Sequence, residues 1–380
     1  PEVERTDRQI DFHWTLYGPD TNLSNDFYSV RWKGSLTAPE TRKYKIGLEG
    51  NDGFRLYVNH QLVIDQWDKQ SYHTLLNEVF LEKDSSYPIT IEFKESNGNA
   101  HIQLIWDYGM EDDHETQIQK AIELANQADI VLIAGGIEEG EFRDRASLQL
   151  SGYQEELIQR IAKTGKKIIV LLTGGSAITM NNWLDKVDAV VQTWYPGEQG
   201  GHAMAAILFG DYNPSGKLPI TFPIAEAQLP LVYHHAPTGR GDDYNNLTGL
   251  PLFPFGYGLS YTQFTYSDLM LERKSMRKSD SIWVSCSITN SGTKDGDEVV
   301  QLYIRDLLSS VVRPVMELKG FERIHLKAGE TKQVRFWITP ELLTMTDLSL
   351  QRIVEPGDFR IMIGASSRDI RLKSVLQVTE

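Results

Sequence analysis

Ala128-Asp129-Ile130-Val131-Leu132-Ile133-Ala134-Gly135 leads into Gly136-Ile137-Glu138-Glu139-Gly140-Glu141-Phe142-Arg143-Asp144-Arg145. Ser151-Gly152-Tyr153-Gln154-Glu155-Glu156-Leu157-Ile158 follows shortly after. The first run is apolar without alternation, ends in glycine, and reads as a buried strand. The last carries a helix signal. Between them, residues 138–145 hold four carboxylates and two guanidinium groups. Strand, charged loop and helix in that order indicate an α/β unit, and open α/β sheets bind ligands beyond the carboxyl ends of their strands. The loop is therefore the first place to look for chemistry.

Outward from the loop the same pattern continues. Residues 116–128 place Ile118, Ala121, Ile122, Leu124 and Ala125 at helical spacing. Residues 153–163 read as a second helix and 201–209 as a third. Lys167-Ile168-Ile169-Val170-Leu171-Leu172 and Ala189-Val190-Val191-Gln192-Thr193-Trp194 read as further strands. Unalternating apolar strands between helices predict a parallel sheet covered on both faces. Three strands make a thin sheet, and the expectation is that its first strands lie upstream of Pro1.

Residues 1–110 read as all-β. Short alternating runs recur at 28–32, 43–48, 54–58, 62–65, 87–93 and 101–106, punctuated by Asn51-Asp52-Gly53, Asn59-His60 and Asn97-Gly98. Asp52 and Gly53 read as a hairpin turn. Residues 111–258 form the α/β part, ending in a proline- and glycine-rich stretch that fixes a loop course over a scaffold. Residues 259–380 return to β, with strands at 282–289, 298–305, 332–338, 359–363 and 370–378, and look like a fibronectin type III-like sandwich. No titratable cluster stands out there, so its expected role is structural.

Composition narrows the class. The chain has 380 residues, 41% hydrophobic and 24% charged, with a net charge of −14 and a pI near 5.2. That size implies more than one domain. The acidity argues against a nucleic-acid partner, and no apolar run is long enough to span a membrane. The single cysteine, Cys286, excludes an internal disulfide and sits in the alternating Val284-Ser285-Cys286-Ser287-Ile288, as a packed strand residue would. His202, His234 and His235 lack metal-ligand spacing, so no metal and no cofactor is expected. Gly135-Gly136 and Gly174-Gly175 lack nucleotide-binding spacing. The start, Pro1-Glu2-Val3-Glu4-Arg5, has neither an initiator methionine nor a signal-peptide core. The expectation is a fragment or processed chain whose targeting segment is gone, from a periplasmic or secreted protein.

Four motifs stand in one order: Glu-Gly-Glu-Phe-Arg-Asp-Arg-x-x-Leu-x-Leu at 139–150, Gly-Asp-Tyr-Asn-Pro-Ser-Gly-Lys-Leu-Pro at 210–219, Phe-Pro-Phe-Gly-Tyr-Gly-Leu-Ser-Tyr-Thr at 253–262, and Arg-Pro-Val-Met-Glu-Leu-Lys-Gly-Phe at 313–321. Together they resemble the C-terminal half of glycoside hydrolase family 3, the β-glucosidase and β-xylosidase family. Residues 27–34, 44–59 and 62–67 resemble a protective-antigen-type (PA-fourteen) β-sandwich, which some members carry as an insert in the α/β sandwich domain. The resemblance implies three parts: that β-sandwich, a partial α/β sandwich with a mainly parallel sheet, and the fibronectin-like domain. In this family a catalytic barrel comes first and supplies the nucleophilic aspartate; no barrel is present here.

Retaining glycosidases use two carboxyl groups, one attacking the anomeric carbon and one passing protons to and from the departing and entering oxygens. The resemblance assigns the acid/base to Glu141, three residues before Asp144, with Glu139 as the alternative because loop length varies. Asp144 and Arg145 would fix the loop through a charge-assisted pair. In the first domain Trp67, Asp68 and Tyr72 could line an outer sugar subsite. The implied partners are a β-linked oligosaccharide or aryl glycoside and a barrel-containing chain or segment, with a homodimer also in view. The competing functions are a carbohydrate-binding or adhesion module and a purely structural fragment.

Overall fold

The computed structural model describes residues 2–14, 17–109, 114–140, 144–238 and 243–380. The chain divides into two compact units, residues 1–121 with 139–145, and residues 122–138 with 146–380. It is a mixed α/β molecule with many strands and few helices.

The first unit holds eight strands: β1 (Asp11–Trp14), β2 (Ser29–Thr37), β3 (Arg42–Gly50), β4 (Gly53–Val58), β5 (Gln61–Gln66), β6 (His73–Leu81), β7 (Ser86–Lys94) and β8 (Ala100–Trp106). They form two four-stranded sheets, ordered β1-β8-β3-β6 and β2-β7-β4-β5, with antiparallel pairing throughout. Alternation sends Tyr44, Ile46 and Leu48 of β3, Phe54 and Leu56 of β4, and Ile91 and Phe93 of β7 into one shared core. Each such side chain contributes about 1.5–3 kcal/mol by leaving water. The six alternating runs of the sequence all become strands. β1 and β6 were not legible: β1 is only four residues long. β6 breaks alternation with Leu75-Leu76 and Val79-Phe80-Leu81, and turns Leu76 and Phe80 outward.

The turn expected at Asn51-Asp52-Gly53 is not a hairpin. β3 and β4 belong to different sheets, and Asp52, with φ 60°, is buried at the crossover between them. Asn59 and His60 do close a hairpin, β4 to β5, with φ of 49° and 64°.

After α1 (His114–Gln127) the second unit continues with β9 (Ile130–Gly136), α2 (Gln154–Ala162), β10 (Lys167–Thr173), β11 (Ala189–Trp194) and α3 (Gly200–Phe209). The strands form a parallel sheet ordered β11-β10-β9. Ile133, Ile168, Val170 and Leu172 are buried on one face. On the other, Ile130 and Leu132 remain 52% and 53% exposed, so among the described residues the sheet lacks the second cover that its sequence predicts. An apolar strand reads alike whether or not its cover belongs to the same chain. Helix α3 is apolar on most sides, yet Phe209 at its end is 85% exposed.

The remaining strands are β12 (Phe264–Leu271), β13 (Ser275–Arg277), β14 (Ile282–Asn290), β15 (Gly296–Asp306), β16 (Glu317–Leu326), β17 (Thr331–Ile338), β18 (Met345–Thr346), β19 (Arg352–Ile353), β20 (Gly357–Gly364) and β21 (Ile370–Thr379). Sheets β12-β14-β17 and β13-β21-β20-β15-β16 share a second core that includes Val284, Ile288, Leu302, Leu326 and Ile361. Cys286 lies in it, fully buried, and burial pushes its thiol up to about 12. It packs, and it is not a nucleophile at neutral pH.

The proline- and glycine-rich motifs tie this sheet pair to the loops before it. Asn213 accepts hydrogen bonds from Ser260 Oγ (2.9 Å) and the Tyr261 amide (2.8 Å) and donates to the Asp295 carbonyl (2.9 Å). Lys217 pairs with buried Glu298 at 3.0 Å. Gln301 on β15 donates to the carbonyls of Gly256 (3.1 Å) and Ala365 (2.7 Å) and accepts from Tyr303 Oη (2.6 Å). Gly256 has φ 81°, and a Cβ there would sit 2.2 Å from Gln301 Oε1, so the glycine is required both for conformation and for space.

Candidate active site

The acidic loop leaves the carboxyl end of β9, where open α/β sheets place their ligands. Its departure is held by backbone and side chain together. Gly136 (φ 147°) lies so close to β10 that a Cβ would meet the Thr173 carbonyl oxygen at 1.9 Å. The Ile137 amide donates to that same carbonyl at 2.9 Å. Gln154, at the start of α2, grips Gly136 twice: its Oε1 accepts from the Gly136 amide and its Nε2 donates to the Gly136 carbonyl, both at 2.8 Å. Beyond the loop, Glu226 accepts from the Leu148 amide (2.6 Å) and Ser147 Oγ (3.0 Å). The Leu148 amide, chief among these donors, holds the Glu226 carboxyl below its ordinary range. The loop is thus anchored on both sides by side chains 18 and 78 residues away in sequence. Neither anchor was foreseen, because a glutamine at a helix start and a lone glutamate carry no sequence signal of so distant a partner.

Within the loop, Glu138 is exposed and Glu139 half-buried. Arg145 lies 3.7 Å from Glu139, while Asp144 is exposed. Glu141 itself, with Phe142 and Arg143, lies outside the described residues.

The three first-unit residues fall in different surroundings. Trp67 is half-buried with the Arg55 guanidinium 4.4 Å and the Lys94 ammonium 5.1 Å from its ring centre, which places it against β4 and β7. Tyr72 is half-buried, donates to Glu49 on β3 and lies 4.8 Å from the His101 ring on β8. Asp68 is exposed. Trp67 therefore packs against strands of one sheet and Tyr72 against strands of the other.

The expectation that the last domain holds no titratable cluster is corrected. Asp297 on β15 binds Arg323 and His325 on β16, the latter at 2.7 Å. Burial raises the Asp297 carboxyl, but the hydrogen bonds from His325 and Arg323 outweigh it and leave the carboxyl lowered. Arg323 also donates to Tyr212 Oη at 2.7 Å, so the cluster fastens the loop after α3. The signal was hidden because the three residues come from paired strands. A separate cavity of about 730 Å³ is lined by Tyr233, His235, Asp243, Tyr244, Val315 and Arg368 among others, and none of the described residues of 138–145 lines it.

Residues 16–261 match the glycosyl hydrolase family 3 C-terminal domain, and residues 298–367 match a fibronectin type III-like domain. The chain belongs to glycosyl hydrolase family 3. Among family 3 relatives, a periplasmic beta-glucosidase of Salmonella typhimurium is 38% identical over 68% of this chain and 35% of its own length. A xylan 1,4-beta-xylosidase of Xylanibacter ruminicola is 34% identical over 93% of this chain and 42% of its own. The crystal structure of a beta-glucosidase from Kluyveromyces marxianus in complex with glucose superposes with a TM-score of 0.75 at 27% identity, covering all of this chain and 48% of that one. The chain thus spans about a third to a half of the length of these family 3 proteins. Among the described residues no helix is long and apolar enough to cross a membrane.

Proposed function

We propose that this chain is the C-terminal part of a retaining exo-β-glycosidase, a β-glucosidase first and a β-xylosidase second, and that Glu141 is its general acid/base. One observation carries this reading: the family 3 match runs through a carboxylate-rich loop that leaves the carboxyl end of β9 between two anchored segments. Anchored flanks suit a proton donor, because small displacements of a catalytic group cost much of its effect. Glu139, 3.7 Å from Arg145, is the second candidate.

In the proposed reaction Glu141 protonates the glycosidic oxygen as a nucleophilic aspartate attacks the anomeric carbon. It then takes a proton from the water that releases the sugar. The aspartate belongs to a barrel outside these 380 residues. The exposed apolar face of β9 and the exposed end of α3 support a further segment or chain packing there. A first unit of protective-antigen type, inserted in the α/β domain, accords with relatives that cover 68% of the chain beside others that cover nearly all of it. A periplasmic or secreted location goes with the same reading and is checked by cell fractionation.

The test is Glu141→Gln in the intact enzyme. Turnover of substrates with poor leaving groups falls, while azide restores cleavage of an activated aryl glycoside. Unchanged turnover would overturn the assignment and send the search to Glu139. Parallel assays on aryl glucosides and aryl xylosides separate the two sugar readings.

A further inference from the structure

The outward face of the first unit carries a group of side chains that the glycosidase reading does not use. β1 is an edge strand hydrogen-bonded to β8, with Asp11 opposite Gln103 and His13 opposite His101. Phe12 and Trp14 point into the core, so Asp11 and His13, in alternation with them, point out. His101 lies between buried Ala100 and Ile102 and points out as well. Three side chains from neighbouring strands therefore converge, and one ligand atom from each lies within 4.8 Å of the others. His13 Nε2 is 3.6 Å from Asp11 Oδ1, and the two imidazole centres are 3.7 Å apart.

We propose that Asp11, His13 and His101 form a divalent transition-metal site of zinc type that clips edge strand β1 to β8. Two imidazoles and a carboxylate are donors that suit zinc and its neighbours, whereas calcium and magnesium take oxygen ligands. Tetrahedral zinc with bonds of about 2.1 Å holds its ligand atoms about 3.4 Å apart. The group is already within reach of that spacing. Asp11 and His13 are exposed enough to complete the closure by changing rotamer, with side chains 39% and 63% accessible. His101 is the prepositioned ligand. Its amide donates to Asn51 Oδ1 at 2.6 Å, and its ring lies against Tyr72, whose hydroxyl donates to Glu49. Glu49 is itself held by Thr74 Oγ1 at 3.0 Å. Such outer partners orient ligand rings and sustain metal affinity. Three protein ligands leave a fourth position for water. A four-residue strand paired on one side gains most from such a cross-link.

The test uses the tag-free 380-residue chain, stripped with a chelator and titrated with zinc chloride by calorimetry in a non-coordinating buffer. Thermal unfolding is followed with and without the metal. The expected result is one equivalent bound with a Kd on the order of 1–10 µM, together with a rise in the unfolding midpoint of the first unit. Cobalt(II) at the same site should give the visible absorption of a low-symmetry complex. His13→Ala and Asp11→Asn, both at exposed positions, should each weaken binding by about 10-fold or more and remove the thermal shift. His101→Gln should do the same, and if it fails to fold the two exposed variants still decide the matter. Absence of saturable binding, or binding that survives His13→Ala and Asp11→Asn unchanged, overturns the proposal.

Discussion

Two carboxylates carry predictions of different kinds: Glu141, the proposed general acid/base, and Glu95, which is buried. General acid–base groups contribute about 10²- to 10⁴-fold to turnover, so Glu141→Gln should lower kcat of the intact enzyme on oligosaccharides by that order, measured by glucose release. Glu95 lies buried in the first unit, where its Oε2 accepts from the Phe27 amide at 2.9 Å. Burial raises its carboxyl, and the charges of nearby Asp52 and Asp26 add to the effect against the opposing Phe27 hydrogen bond and Lys69. Folding therefore favours protonated Glu95. Its stabilising contribution is full below the unfolded carboxyl value of about 4.3 and is lost as the pH rises through the higher folded value. Glu95→Gln, which keeps an acceptor for Phe27, should raise the unfolding midpoint at pH 7 and leave it nearly unchanged at pH 4, as calorimetry at the two pH values would show. An equal shift at both would refute the linkage.

At the scale of elements, the end of β9 shows which local features the sequence makes visible. An apolar run ending in two glycines is enough to predict a strand that stops and a loop that leaves it. That the loop's start is held by Gln154 and its far side by Glu226 could not be read, because hydrogen bonds between residues far apart leave no periodic trace. Removing the Gln154 amide should cost about 1–3 kcal/mol, because it makes three backbone hydrogen bonds, two with Gly136 and one to the Ser151 carbonyl. It should also speed amide exchange at Gly136 and Ile137, and lower kcat of the intact enzyme more than it raises KM. If exchange at those two amides is unaltered in Gln154→Ala, the anchor is not what holds the loop. The strands divide the same way. β3, β4 and β7 were legible from alternation, whereas β6 was hidden by paired apolar residues. The crossover at Asp52 looked like a hairpin because the same residue types favour both.

At the scale of the molecule, a thin parallel sheet stands in the sequence between two sheet pairs whose pairing is antiparallel apart from β13 with β21, and the parallel sheet leaves Ile130 and Leu132 on an exposed face. If the nucleophile lies on an absent barrel, the 380 residues alone should give no turnover of an aryl glucoside, and mixing with the barrel-containing segment should restore it. Activity in the chain alone would overturn the split-site reading. The clamp around Gln301 and Lys217 predicts that Gln301→Leu destabilises the second unit by about 2–4 kcal/mol, through buried carbonyls left without donors, measurable by denaturant unfolding.

Periodicity and motif order by themselves determined the mixed α/β class, the β character of both ends, the packed role of Cys286 and the family likeness. These are properties of neighbouring residues or of ordered short runs. Tertiary structure alone decided the crossover at Asp52, the anchors of the acidic loop, the Asp297–Arg323–His325 cluster and the meeting of Asp11, His13 and His101. Each joins residues that the chain separates and only strand pairing or packing brings within a few ångströms. A linear sequence records the chemistry of such groups but not their distance, and their function depends on that distance.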